Sequence, residues 1–142
     1  MRVMVLVKAS EELEAGGPPD EKMMSEMMAF NEQLVKAGVL LAAEGLKPSS
    51  EGKRVRFSGP RRTVIDGPFA ETKELLAGFW LWQVRSMEEA IEWAKRCPNP
   101  HPDQGENEIE IRPVFESADP EMSKDFKDKE ERLRAEMEAQ RR

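Results

Sequence analysis

The sequence predicts an α+β fold in which helices cover one face of a small antiparallel sheet. Short valine-rich or alternating apolar runs recur along the chain, which is typical of strands. Two segments instead repeat apolar residues at intervals of three and four, as amphipathic helices do. The order is strand, helix, strand, hairpin, strand, helix, strand. Two strand–helix–strand units of this kind predict a ferredoxin-like plait.

The first part of the chain supplies a strand, a helix and a second strand. The run RVMVLVK at 2–8 predicts a buried strand, and the segment 10–20, with two glycines and two prolines, predicts a loop. Asp20 stands at the N-cap of a helix that Gly38 ends. The apolar stripe of this helix is Met23, Met27, Phe30, Leu34 and Val35. Residues 39–46 then predict the second strand or an extended crossing.

The middle of the chain predicts a hairpin. Residues 54–57 and 63–65 form its two arms, joined through Ser-Gly-Pro-Arg-Arg. The next strand, GFWLWQV at 78–84, is the most apolar in the chain. The sequence Asp-Gly-Pro-Phe at 66–69 separates it from the hairpin and predicts a turn.

The strand at 78–84 is apolar on both faces. Trp80 and Trp82 lie on one face, with Phe79 and Leu81 on the other. Because helices cover a single face, we expect the sheet of a partner subunit to cover the second one, which predicts a homodimer. The alternative is that Trp80 and Trp82 line an open ligand cavity, which a dimer would also permit.

The last third supplies a second helix and a final strand. Ser86 with Glu89 forms the Ser-x-x-Glu pattern of a capping box, and Pro98 ends the helix. Residues 108–115 alternate polar and apolar side chains, so one face is buried. Arg112 on this strand forms either a salt bridge on the sheet face or, if that face lines a dimer cavity, a binding site for a carboxylate or phenolate.

A change in composition divides the chain into a predicted domain, 1–116, and a charged helical extension, 117–142. Acid-first i,i+4 pairs such as Glu130 with Arg134 run along the extension, each worth about 0.2–0.5 kcal/mol. Its narrow apolar stripe is Met122, Phe126, Leu133 and Met137. Since so few apolar residues bury little surface, we expect this helix to form mainly when it is docked.

Composition and charge exclude several classes of function. The chain carries 28 acids and 22 bases, a formal charge of −6, which disfavours nucleic-acid binding. The single cysteine, Cys97, excludes an intrachain disulfide and fits a reducing cytoplasm. No apolar run approaches the roughly 20 residues that span a membrane. Cys97 and His101 are four residues apart, but the prolines around them exclude a helix, so no metal is expected at this pair. No organic cofactor is expected either.

The turn at 66–69 has a structural and a functional interpretation. In the structural one, Asp66 caps the turn while its glycine and proline set the backbone. In the functional one, a rigid turn holds Asp66 in a cleft as a general base, and Glu71, Lys73 or Glu74 binds a polar ligand.

The same turn, followed by Ala-Glu-Thr-Lys-Glu and Gly-Phe, resembles the signature of the DGPF branch of the YCII-related family. Segments 37–40, 44–46 and 109–113 match in the same order, so the resemblance covers 1–116. It implies a dimeric α/β barrel of two ferredoxin-like plaits with facing sheets. It also implies a His–Asp pair, as in a family member that dehydrochlorinates a chlorinated hydroxyquinol. Asp66 stands where the motif places its acid, whereas the single histidine, His101, lies in a late proline-rich loop.

Two main hypotheses about function follow. The first is a small cofactor-independent enzyme that uses acid–base chemistry at Asp66 on a polar or aromatic molecule, with Glu71, Lys73, Arg112, Trp80 and Trp82 as ligand-binding residues. The second is a non-catalytic ligand-binding or regulatory module with the same cavity. A third is an interaction protein whose C-terminal helix recruits a partner. No nucleic acid or membrane partner is expected.

Overall fold

A computed structural model describes residues 1–18, 20–116 and 123–141, apart from the side chain of Lys73. Within these ranges the strands are β1 Arg2–Lys8, β2 Leu40–Gly45, β3 Lys53–Ser58, β4 Arg61–Asp66, β5 Leu76–Gln83 and β6 Ile109–Pro113. The helices are α1 Glu11–Glu14, α2 Glu21–Lys36, α3 Met87–Lys95 and α4 Lys124–Gln140. Single 3-10 turns occur at Ser49–Glu51 and Thr72–Glu74. The predicted α+β class is confirmed.

The main sheet has four strands in the order β2-β5-β1-β6, and all neighbours are antiparallel. Strand β5 lies between β1 and β2, which α2 connects, and β1 lies between β5 and β6, which α3 connects. This interleaving is compatible with a ferredoxin-like fold. The β3–β4 hairpin forms a separate two-stranded sheet between the two units.

The core lies between one face of the sheet and the inner sides of α2 and α3. Trp82 and Leu34 are completely buried there. The Phe30 ring packs edge-on against Trp80 and Trp82, with centroids 5.8 and 6.3 Å away. The buried apolar set is Val3, Val5, Phe30, Leu34, Val39, Trp80, Trp82, Val84 and Ala90. The tryptophan face of β5 is therefore the face that the helices cover.

The ends of α2 lie where the sequence predicts them. Asp20 Oδ1 accepts a hydrogen bond of 3.0 Å from the Lys22 amide. Gly38 follows the helix with φ +73°, a conformation that residues with a Cβ resist. The predicted stripe is wrong in one position, because Val35 is 60% exposed. It follows the buried Leu34, and one residue turns a helix by about 100°, which carries Val35 off the inner face.

The segment predicted as a loop before α2 contains the short helix α1. Ser10 is its N-cap, and its hydroxyl accepts a hydrogen bond of 3.2 Å from the Leu13 amide. Ser10 is itself buried. Acidic residues follow Ser10 in the first turn, where they stabilise the N-terminus of a helix. The glycines and prolines that predicted a loop come after α1 has ended.

The second face of the sheet is apolar at its centre. In the strand register Met4 lies opposite Leu81, and Leu6 lies opposite Phe79. These four side chains, which we call the open sheet face, are only partly buried and do not belong to the core cluster of the described residues. Strand β5 thus has apolar side chains on both faces, as predicted, and the helices bury one of them.

Helix α4 is present and has no buried residue. Ser123 caps it by accepting a hydrogen bond of 3.3 Å from the Phe126 amide. Of the predicted stripe, Met122 lies outside the described residues, and the other three side chains are exposed. Among the described helices, none is long and apolar enough to cross a membrane.

The two core tryptophans differ in one hydrogen bond. Trp80 Nε1 donates to Asn31 Oδ1 at 2.8 Å, whereas the buried Trp82 Nε1 has no acceptor among the described residues. Replacing either ring by Phe removes similar volume, but Trp80→Phe also leaves the Asn31 oxygen without its donor. We therefore expect Trp80→Phe to lower the free energy of unfolding by about 1 kcal/mol more than Trp82→Phe. Urea denaturation of both variants checks this, and a larger loss for Trp82→Phe would contradict it.

Candidate functional site

Asp66, the predicted catalytic residue, is the last residue of β4. Its side chain is 75% exposed, and Oδ1 lies 2.6 Å from the Lys53 Nζ on the neighbouring strand. Because both groups face solvent, the ion pair contributes little stability. The carboxylate is therefore in water and paired with a cation, rather than in a cleft formed by the described residues.

The turn that follows Asp66 is packed against the 3-10 turn at Ser49. Ser49 donates its amide, at 2.9 Å, and its hydroxyl to the Glu14 carboxylate, and its Oγ accepts a 3.0 Å hydrogen bond from the Phe69 amide. A Cβ at position 67 would lie 2.6 Å from the Ser49 carbonyl carbon, so only glycine fits. The Arg54 guanidinium lies over the Phe69 ring, 3.8 Å from its centroid. These contacts give the motif a structural role.

Arg112 projects from β6 on the same side as the open sheet face, opposite Met4. Its side chain is 70% exposed, and Nη1 lies 3.2 Å from Glu110 Oε2. Lys8 Nζ lies 3.1 Å from the other oxygen of the same carboxylate. The hydrogen bonds from Lys8 and Arg112 lower the pKa of Glu110. Arg112 thus forms a salt bridge on the sheet face.

The other predicted ligand-binding residues are dispersed. Glu71 is exposed, and its carbonyl accepts a hydrogen bond of 3.0 Å from the Glu74 amide. The side chain of Lys73 lies outside the described residues. Trp80 borders a cavity of about 250 Å³ beside α2, whereas Trp82 is wholly in the core. Among the cavities found within the described part of the chain, none is lined by Asp66, Glu71, Arg112 or Trp82.

A larger cavity, of about 580 Å³, lies elsewhere in the described part of the chain, where β1 ends. It is lined by residues of α1, of the segment 15–18, of the start of α2 and of the proline-rich loop before β6. Its volume is in the range of small-molecule sites. The lining includes Val7, Leu13, Met23, Met24 and His101, together with the acidic residues Glu12, Asp20 and Asp103. We call this cavity the His101 pocket.

His101 is held in the wall of this pocket and is 7% exposed. Its Nε2 lies 2.7 Å from the Lys8 carbonyl oxygen on β1. Its main chain is fixed on both sides, because its amide donates to Asn99 Oδ1 at 2.9 Å and its carbonyl accepts from Asn107 Nδ2 at 3.1 Å. The sequence assigns no role to His101. The available signal was a lone histidine between prolines, with an asparagine on each side.

Neither a reactive thiol nor a metal-binding cluster is found among the described residues. Burial raises the pKa of the Cys97 thiol to about 12, so the thiol stays protonated at neutral pH. Searching the described residues for three or more histidine, cysteine, aspartate or glutamate side chains that could hold a metal ion identifies no such group.

Comparison with known proteins finds a matching family model and a related protein. A family model of the YCII-related domain matches residues 1–118. An uncharacterised protein of Rhizobium meliloti (strain 1021) is 38% identical over 95 residues, which cover 67% of this chain and 75% of the relative. The part of the chain that the family model matches begins before β1 and extends beyond β6, so it includes the whole main sheet and the His101 pocket. The chain belongs to the YCII-related family.

Proposed function

We propose that this protein is a cytoplasmic, homodimeric small-molecule-binding protein with a ferredoxin-like fold, and that His101 transfers protons to and from a ligand in its pocket. Neither an organic cofactor nor a metal is required for this chemistry. The observation that carries the proposal is a histidine, more than nine-tenths buried, in the wall of a cavity of about 580 Å³.

The contact with Lys8 defines the chemistry that His101 can perform. A carbonyl oxygen only accepts hydrogen bonds, so Nε2 carries a proton. In the neutral ring Nδ1 is then an unprotonated acceptor, and it makes no hydrogen bond to any described residue. This is the arrangement of a general base, in which one nitrogen is fixed and the other is left for a substrate.

Asp66 was predicted to be the catalytic group, and its surroundings provide less support. The exposed Lys53 ion pair leaves the carboxylate in solvent, and the adjoining glycine is explained by packing against Ser49. The non-catalytic binding module remains the second candidate. The exposure of Asp66 favours it, and it differs from the enzyme only in lacking turnover.

The homodimer is supported by the open sheet face. An antiparallel sheet with one solvated face normally shows polar residues there, whereas Met4, Leu6, Phe79 and Leu81 form an apolar centre. Charged groups flank this centre, among them the Glu110 carboxylate between its two cations. An apolar core with a polar rim is typical of an interface, and two such sheets packed face to face would form the dimeric α/β barrel.

Two substitutions separate the structural and chemical roles of His101. Glutamine places an N–H donor near the position of Nε2, so His101→Gln is expected to keep the hydrogen bond to Lys8 while removing Nδ1. His101→Leu removes both and should lower the free energy of unfolding by about 1–2 kcal/mol. We expect His101→Gln to remain folded and to lose ligand binding at least about tenfold.

A thermal-shift screen of polar and aromatic fragments, repeated on the variants, measures this effect. Asp66→Asn is the matched control and should bind normally. Loss of binding in Asp66→Asn with normal binding in His101→Gln would place the site at the Asp-Gly-Pro-Phe turn instead. Mass spectrometry of the bound fragments after incubation then distinguishes an enzyme from a binding module.

A further inference from the structure

The charges that line the His101 pocket have a single sign. The charged residues that line it are Glu12, Asp20 and Asp103, all three of them exposed, and no lysine or arginine of the described residues lines the cavity. The N-terminus of α2, which would otherwise attract an anion, is occupied by Asp20, whose Oδ1 accepts from the Lys22 amide. The formal charge of the whole chain, −6, has the same sign.

The walls of the pocket are apolar and in part exposed. Val7 and Met23 line it, and at its mouth Leu13 is 41% and Met24 is 50% exposed. Methionine side chains adapt to ligands of different shape. A ligand that covered these groups would therefore have an apolar body.

We infer that the His101 pocket selects an organic amine, with an ammonium group among the carboxylates and an apolar body against the leucine and methionines. This inference rests on the proposed function, since it assigns a ligand class to the same pocket. The ammonium N–H groups match the acceptors on offer, which are the carboxylate oxygens and the free Nδ1 of His101. Carboxylates and phosphates would enter a negative field without a cation to pair with.

Three probes with one apolar body and different charges test the inference: phenethylamine, phenethyl alcohol and hydrocinnamate. Binding is followed through the methyl NMR signals of Met23 and Met24, with the exposed Met137 of α4 as the reference signal. We expect phenethylamine to shift the two pocket signals and to bind about tenfold more tightly than phenethyl alcohol. Hydrocinnamate should bind most weakly. Hydrocinnamate binding as tightly as the amine would overturn the inference.

A variant without the three charges provides the second test. The combined substitutions Glu12→Gln, Asp20→Asn and Asp103→Asn keep the size of each side chain, and asparagine is as good an N-cap as aspartate. The preference for phenethylamine over phenethyl alcohol should disappear in this variant. Persistence of the preference would contradict the inference.

The His101→Gln variant separates failure of the inference from failure of the proposed function. If phenethyl alcohol shifts the pocket signals, loses this effect in His101→Gln, and still binds as well as the amine, the ligand class is wrong and the pocket stands. If none of the three probes shifts the signals of Met23 and Met24, both the ligand class and the pocket are wrong.

Discussion

Leu81→Arg is expected to dissociate the proposed dimer into monomers. Leu81 lies at the centre of the open sheet face, opposite Met4 on β1. If two such faces pack together, the substitution places an unpaired cation in the interface of each subunit. An uncompensated buried charge costs about 3–5 kcal/mol, so we expect the dimer to dissociate at least about a thousandfold more readily. Sedimentation velocity at micromolar concentration measures the change.

The control for this prediction is Met28→Arg. Met28 is 65% exposed on α2, away from the open sheet face, so the same change in charge should leave the dimer intact. Because Leu81 does not belong to the core cluster, the Leu81→Arg monomer should keep its circular dichroism spectrum. A wild-type protein that sediments as a monomer, or a Leu81→Arg variant that remains dimeric, would contradict the interface.

Gly67→Ala is expected to destabilise the fold by about 3 kcal/mol, at the upper end of what overpacking produces. The added methyl group would lie 2.6 Å from the Ser49 carbonyl carbon and 3.3 Å from the Ser50 amide nitrogen. Both neighbours are backbone atoms, which cannot move aside by rotating a side chain. A thermal melt should show a Tm lowered by roughly 10 °C.

Gly45→Ala is the matched control for the glycine prediction. A Cβ at position 45 meets nothing within 4 Å, so the free energy of unfolding should change by less than about 0.5 kcal/mol. If Gly67→Ala were tolerated as well as Gly45→Ala, the contact between the Asp-Gly-Pro-Phe turn and Ser49 would be wrong. The same result would support a catalytic role for the turn.

Local patterns were sufficient to predict most of the fold. The Val-rich run of β1, the two-faced apolar run of β5 and the caps at Asp20 and Ser86 depend on neighbours within a few residues, which a sequence displays directly. The capping box predicted at α3 is formed only in part. Ser86 accepts from the Glu89 amide as predicted, but the Glu89 carboxylate accepts from the Arg85 amide instead of completing the box.

The candidate site depends on contacts between distant residues, and for that reason it was harder to predict. His101 is fixed by a carbonyl 93 residues earlier, and Phe69 by a serine 20 residues earlier. Neither distance leaves a periodic signal in the sequence. Asp66 was predicted to be catalytic because it adjoins a recognisable turn. The glycine in that turn is explained by the packing of Gly67 against Ser49.

The paired tryptophans also give the molecule an optical signature. The Trp80 and Trp82 rings are 5.8 Å apart and tilted by 41°, close enough for their electronic transitions to couple. The chain has three tryptophans and no tyrosine, so neither emission nor near-ultraviolet circular dichroism is obscured by phenols. An exciton couplet from this pair would report on the intact core directly, without any label.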